Sequence, residues 1–126
     1  MTTSHICTVQ TQFRSIEALR EAAVSLGLTL EVGGKVRIFE RRNDPLTAEF
    51  TIQVPTESYD VGFIQAKDGS YDMIGDDMVI KNSYGYESQV LGKNCNKLRQ
   101  AYAIAVLRQE AKRKGMNITV SKLENS

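Results

Sequence analysis

Residues 48–54, AEFTIQV, alternate strictly between apolar and polar side chains. Ala48, Phe50, Ile52 and Val54 share one parity, and the polar residues between them share the other. Because successive side chains of a strand point to opposite faces, this period of two predicts a half-buried β-strand. Segments of the same period lie on both sides of it, so the centre of the chain is expected to form a sheet.

The flanking segments predict hairpins and therefore antiparallel pairing. Residues 60–66 and 70–74 form a hairpin about Lys67-Asp68-Gly69. Residues 28–32 and 35–40 predict another, because Gly33-Gly34 supplies the positive φ angles of a tight turn. Alternation over residues 5–13 predicts one more strand, at the start of the chain.

Two segments have helical spacing instead. Ser15 is a suitable N-cap for a first helix that ends at Gly27. A second helix is predicted from about 94 to 114, with basic residues in its last turn and Gly115 after it. Residues 75–92 show no sustained period and predict an irregular connection, in which 78–80 could form a short strand.

With a last strand at 116–120, the predicted order is β-α-β-β-β-β-β-α-β. Hairpin connections and only two helices indicate an α+β fold in which both helices cover one face of a mainly antiparallel sheet. We predict a single domain over residues 1–126, since single cores typically occupy about 100–150 residues.

Composition excludes several classes of protein. The chain is 41% apolar and 25% charged, values typical of a globular protein and not of a disordered one. It has neither an apolar run of membrane-spanning length nor the basic and apolar regions of a secretion signal. Two cysteines far apart do not indicate a disulfide framework. We therefore expect a cytoplasmic protein.

The net charge of +1 hides a separation of charge along the chain. Residues 1–56 are balanced, residues 57–77 carry −5 and residues 78–126 carry +6. Such runs usually mark solvated faces, or faces that attract each other within the fold. The alternative is a basic surface that binds phosphates or an acidic partner.

Residues typical of catalysis or metal binding occur without the spacing that these functions require. His5 and Cys7 share a strand face, but their Cα atoms would lie about 6.5 Å apart, which is long for a catalytic hydrogen bond. Adding Cys95 gives no recognisable zinc spacing, and Asp76-Asp77 lacks a calcium-loop pattern. We predict no catalytic residue, metal or cofactor; a small enzyme or metal protein using His5, Cys7 and Cys95 is the least favoured hypothesis.

Several short motifs resemble the DUF1257 family, which includes the Ycf35 proteins of plastids and cyanobacteria. The resemblance covers residues 4–120 and rests on motifs that lie in the family's order, namely Ser4-His5, Glu17-Ala18-Leu19, Leu26-Gly27, Ala48-Glu49-Phe50-Thr51-Ile52, Tyr59-Asp60-Val61-Gly62-Phe63, Asp68-Gly69-Ser70-Tyr71-Asp72, Asp76, Gln100, Tyr102-Ala103 and Glu110-Ala111-Lys112-Arg113-Lys114-Gly115. Because the family has no assigned activity, the resemblance implies an intracellular accessory protein.

The chain also departs from the family's pattern. The family's second-helix histidine falls at Ala105, an aromatic residue at Ile104 and an arginine at Ala101. Its tryptophan-containing loop has no Trp here, and its additional C-terminal strand is missing. The resemblance therefore implies a divergent, shortened relative, of bacterial or bacteriophage origin.

Two binding hypotheses remain. The first is a non-enzymatic binding or adaptor protein that contacts another protein. The second is nucleic-acid or nucleotide binding by the basic segment 81–114, with Tyr84 and Tyr86 stacking on bases unless they pack on the core. An exposed sheet edge also permits a homodimer. Candidate contact residues under these hypotheses are Tyr59, Asp60, Asp76, Lys81, Tyr84, Tyr86, Lys93, Lys97, Arg99 and Gln100.

Overall fold

The computed structural model describes residues 6–39 and 46–115. Within them, the sheet is built from β1 (Ile6–Phe13), β2 (Leu30–Val32), β5 (Phe50–Ile52), β6 (Val61–Gln65) and β7 (Tyr71–Asp76). Their spatial order is β1-β7-β6-β5-β2, and every neighbouring pair is antiparallel. A separate two-stranded sheet pairs β3 (Lys35–Val36) with β4 (Leu46–Thr47). The α+β prediction is confirmed.

Three α-helices are present in the described part of the chain, α1 (Ile16–Ser25), α2 (Asp77–Ile80) and α3 (Asn96–Arg113), with short 3-10 turns at Ser83–Gly85 and Lys93–Cys95. The Ser15 hydroxyl accepts the Ala18 N–H at 3.0 Å, so the predicted N-cap of α1 is confirmed. The expected short strand at 78–80 is wrong, because the Asp76 carboxylate caps these residues as one helical turn. The predicted strand at 116–120 lies outside the described residues.

The two long helices cover one face of the sheet. Cross-strand registers place Leu30, Ile52, Phe63 and Met73 on that face, and all four are buried. Together with Leu19 of α1, they belong to the central hydrophobic cluster. Burying such side chains stabilises the fold by about 1.5–3 kcal/mol for each one. The prediction that both helices lie on one face is confirmed.

The expected tight hairpin at Gly33-Gly34 is wrong. β2 pairs with β5 in the main sheet, whereas β3 pairs with β4, so the chain changes sheets at these glycines. Both have positive φ, and the space beside Gly34 is filled by the Thr51 side chain, whose hydroxyl donates to the Gly33 carbonyl. The predicted strand 48–54 is shortened to β5, Phe50–Ile52, because the residues just before it, β4, pair with β3 outside the main sheet.

The small β3–β4 sheet lies over the second face of the main sheet at Gly62. A Cβ atom at Gly62 would lie only 2.6 Å from Ala48 Cβ and 2.7 Å from Val36 Cγ2. Val61 and Phe63, on either side of it, are fully buried. Gly62 therefore permits close packing of the two sheets, and part of the second face is also covered.

Candidate contact surface

Asp60 is a buried structural carboxylate. Only 1% of the residue is exposed, and its Oδ2 accepts the main-chain N–H of Arg37 at 3.0 Å and Arg37 Nε–H at 2.8 Å. Its Oδ1 accepts Arg37 Nη2–H at 2.8 Å and the Val54 N–H at 2.9 Å. The hydrogen bond that Arg37 donates to Asp60 also raises the pKa of Arg37. This bidentate pair fastens the chain after β3 to the sheet, so the prediction of Asp60 as a contact residue is wrong.

The prediction of Asp76 as a contact residue is wrong for the same physical reason. It is fully buried at the end of β7, where Oδ1 accepts the Met78 N–H at 2.9 Å. Its Oδ2 accepts the Phe39 N–H at 2.7 Å, which holds a second point of the segment that follows β3. Both carboxylates therefore serve internal architecture, because buried charge must be matched by hydrogen-bond donors.

Glu57 organises the irregular segment between α2 and α3. Its Oε1 accepts the hydroxyls of Ser88 at 2.6 Å and Tyr86 at 3.2 Å. Its Oε2 accepts the N–H groups of Gln89 at 2.9 Å and Val90 at 3.1 Å. One carboxylate thus engages four donors from residues 86–90, and this network restrains a segment that has little regular secondary structure.

Tyr59 and Tyr86 pack together beneath this segment. Their rings meet edge to face, with centroids 5.6 Å apart. Both side chains are half-buried against the central cluster. Burial, with the neighbouring Glu57 carboxylate, raises the pKa of Tyr86 to about 12. For Tyr86, packing of the loop on the core is confirmed, and its ring is not presented for stacking on a base.

Tyr84 has the opposite environment. It is 88% exposed, and its φ of 58° lies in the left-handed region that a residue with a Cβ rarely adopts. Asn82, Asn94 and Cys95 also have positive φ. We define the Tyr84 loop as residues 81–92. Its internal hydrogen bonds fix a conformation that displays a single large aromatic ring to solvent.

The basic candidates lie on or beside the Tyr84 loop. Lys81, Lys93 and Lys97 are exposed, whereas Arg99 is half-buried. Lys97 Nζ–H donates to the Gln89 carbonyl at 3.1 Å, and Arg99 Nε–H donates to the Asn94 carbonyl at 3.2 Å. Arg99 therefore stabilises the start of α3, and the three lysines remain available to a partner.

Gln100 and Tyr102 diverge around α3, as their spacing predicts. Gln100 is exposed, whereas the half-buried Tyr102 contacts Phe13, with ring centroids 4.6 Å apart. The Tyr102 hydroxyl accepts the N–H groups of Arg14 at 2.8 Å and Ser15 at 3.0 Å. Tyr102 is thus packed on the core with its hydroxyl satisfied, and Gln100 stays a candidate contact residue.

The cysteines are free and buried. Burial raises the pKa of Cys95 to about 12, and burial also raises the pKa of Cys7. His5 lies outside the described residues, among which no cluster of three or more metal-ligating side chains occurs. No helix within 6–39 or 46–115 is long and apolar enough to cross a membrane.

Comparison with known protein families shows which family the chain belongs to. A family model described as a protein of unknown function, DUF1257, matches residues 22–126. The chain belongs to the DUF1257 family. No curated protein and no solved structure matches this DUF1257 protein. The match contains the Tyr59–Phe63 motif and all of α3, whereas Ser4-His5 and Glu17-Ala18-Leu19 precede it.

Sequence reasoning missed two residues that shape the candidate surface. Arg37 lies between the inward-facing Val36 and Ile38, so the strand pattern predicts only that it faces outward. Glu57 lies in a polar connection, and the sequence indicates only that it belongs to the acidic run 57–77. Asp60 lies directly before the buried strand β6, and a carboxylate at such a position indicates that a cationic side chain pairs with it. The sequence does not indicate which basic residue that is.

Proposed function

We propose that this DUF1257 protein is a non-catalytic binding module that acts in the cytoplasm through protein contacts made by the Tyr84 loop. The observation that carries the proposal is a solvent-exposed tyrosine on a loop that is held in place by its own backbone hydrogen bonds and by bonds to Glu57. Tyrosine is enriched at protein interfaces, because its ring provides apolar contact area and its hydroxyl provides a hydrogen bond.

The hydrogen bonds to Glu57 support a preformed interface. A loop that is already ordered loses less conformational entropy when it binds, so more of the contact energy contributes to affinity. The left-handed Tyr84 supports the same interpretation, since strained backbone of this kind costs about 1–3 kcal/mol and concentrates at functional positions. Nearby Lys81 and Lys93 favour a partner with acidic residues around an apolar recess.

The protein interface is favoured over nucleic-acid binding by the separation of the two tyrosines. Stacking on successive bases needs exposed aromatic rings along a basic track. Tyr86 instead packs against Tyr59 and donates to Glu57, which leaves Tyr84 as the exposed ring of the pair. Three carboxylates that could have served catalysis, Glu57, Asp60 and Asp76, bind internal donors, which supports a non-catalytic role.

Affinity capture from cells of the source organism tests this proposal. The bait is the full chain, compared with Tyr84→Ala and with Val32→Ala, whose side chain is 79% exposed on β2, away from the loop. We expect a protein to be retained by the wild type and Val32→Ala, to resist nuclease treatment and to be lost with Tyr84→Ala. Capture that disappears after nuclease treatment would instead support the nucleic-acid hypothesis.

A homodimer remains a separate prediction. β1 and β2 are the outer strands of the described sheet, and unpaired edge groups can template another chain. Sedimentation equilibrium of the purified protein measures this directly. A single species of monomer mass at high micromolar concentration would exclude it.

A further inference from the structure

A groove lies between α1 and α3 on the outer side of the helical layer. It encloses about 300 Å³, and the lining side chains from α3 include Lys97, Ala101, Ile104 and Arg108. Leu26, after α1, contributes apolar surface on the other side. The groove thus combines a partly apolar floor with a cationic residue towards each end.

The length of the groove matches a short helix. Lys97 and Arg108 are 11 positions apart on α3, which corresponds to about 16 Å or three turns along the axis. Ala101 and Ser25 are small lining residues, and small side chains at a contact allow helix axes to approach closely. The apolar lining residues of α3, Ala101 and Ile104, span about one turn, so a partner helix laid in the groove would bury a short apolar stripe there and carry charged residues on either side of it.

The charges around the groove select an anionic partner. Glu21 is the acidic residue of the lining, and its Oε2 lies 3.4 Å from Arg108 Nη1. Two cationic residues against one carboxylate leave a net positive charge. Both members of the Glu21–Arg108 pair are partly exposed, so the pair is weak and Arg108 can share its guanidinium with a second carboxylate.

We propose that the groove between α1 and α3 binds an amphipathic, acidic helix of a partner protein. Its apolar residues lie against Leu26, Ala101 and Ile104, and carboxylates about three turns apart contact Lys97 and Arg108. The inference deepens the proposed function, because it rests on the chain being a protein-binding module and adds the class of partner segment. It concerns the helical layer and does not use the Tyr84 ring; because Lys97 also donates to Gln89 of the Tyr84 loop, Arg108 provides the test that is independent of the loop.

Site-specific photo-crosslinking tests the groove in the full chain. Benzoylphenylalanine replaces Gln100, an exposed residue that lines the groove. The control position is Val24, which is 63% exposed on α1 and does not line it. After irradiation in cells of the source organism, we expect a protein adduct at position 100 and none at position 24. Mass spectrometry is expected to identify a helical segment with carboxylates about 11 residues apart.

Charge-reversal variants then test whether Lys97 and Arg108 attract the partner helix. We expect Lys97→Glu and Arg108→Glu each to reduce adduct yield about five- to tenfold, whereas Lys112→Glu, at an exposed position outside the groove, leaves it unchanged. Circular dichroism melting confirms that each variant is folded; if Arg108→Glu unfolds, Arg108→Gln replaces it. The proposal is overturned by no adduct at position 100, by a non-acidic or nucleic-acid adduct, or by a yield insensitive to both reversals.

The two proposals fail separately. If Tyr84→Ala abolishes protein capture but position 100 gives no adduct, the groove proposal is wrong and the loop proposal stands. If position 100 gives the acidic adduct but Tyr84→Ala retains full capture, the groove proposal stands and the loop is not the contact. If position 100 gives no adduct and Tyr84→Ala retains full capture, both the groove proposal and the loop proposal are wrong.

Discussion

Replacing Asp60 with Asn keeps the side-chain shape but removes the charge that fastens β3 to the main sheet. Each carboxylate oxygen accepts two hydrogen bonds, three of the four donors belonging to Arg37. In either orientation the new amide nitrogen faces two donors, so two hydrogen bonds are lost. Bonds to charged groups contribute about 1.5–3 kcal/mol each. Because the Arg37 side chain is 45% exposed and regains water, we expect a total loss near 3 kcal/mol.

Urea denaturation followed by circular dichroism measures this loss. For a chain of this length, each kcal/mol of lost stability lowers Tm by about 3–5 °C. In a thermal melt, Asp60→Asn is therefore expected to unfold about 12 °C below the wild type. The matched control is Asp68→Asn. Its Oδ1 accepts the Ser70 N–H and hydroxyl, which an amide oxygen can still accept, and its other oxygen pairs with the exposed Arg14 at 3.5 Å, so the change should be less than about 0.5 kcal/mol. An Asp60→Asn variant as stable as the Asp68→Asn control would refute this account of the buried pair.

Three further predictions concern packing, ionisation and reactivity. Gly62→Ala is expected to cost about 2–3 kcal/mol in urea unfolding, since its Cβ would overlap neighbouring side chains; a change below 0.5 kcal/mol would contradict that close packing. Because burial raises the pKa of Tyr86 to about 12, the unfolded chain loses this proton first, and stability falls as pH rises from about 10 to 12. Tyr86→Phe should show a smaller fall in the urea midpoint over that range; an unchanged fall would remove Tyr86 as its source. The raised pKa of Cys95 predicts slow alkylation by iodoacetamide at pH 8 in the native protein and rapid alkylation in urea, and equal rates would contradict its burial.

Local periodicity and capping were sufficient to predict α1, α3 and the β6–β7 hairpin. Ser15 and Gly27 delimit α1, and a polar turn joins two alternating runs in the hairpin. The shortening of the predicted strand 48–54 to Phe50–Ile52 could not be predicted, because it depends on tertiary contacts. Gly34 has a positive φ in a change of sheet as well as in a tight turn, and the Thr51 side chain beside it decides between the two.

The candidate surface was predicted less completely than the fold. Exposure of Tyr84 and burial of Tyr86 follow from the Glu57 network, whose members are about 30 residues apart in sequence. Asp60 and Asp76 resembled surface residues because aspartate is usually exposed, but both bind donors of the segment after β3. Sequence patterns indicate which side chains can be buried, but pairing over such separations is determined by the folded chain.

The most direct test of the protein-contact proposal is the affinity of the captured partner for the Tyr84 loop. Isothermal titration calorimetry with the purified partner compares the wild type, Tyr84→Ala and Val32→Ala. We expect Tyr84→Ala to raise Kd at least tenfold, equivalent to about 1.4 kcal/mol, and Val32→Ala to leave Kd within twofold. Equal affinities for the wild type and Tyr84→Ala would contradict the proposal that this loop forms the contact.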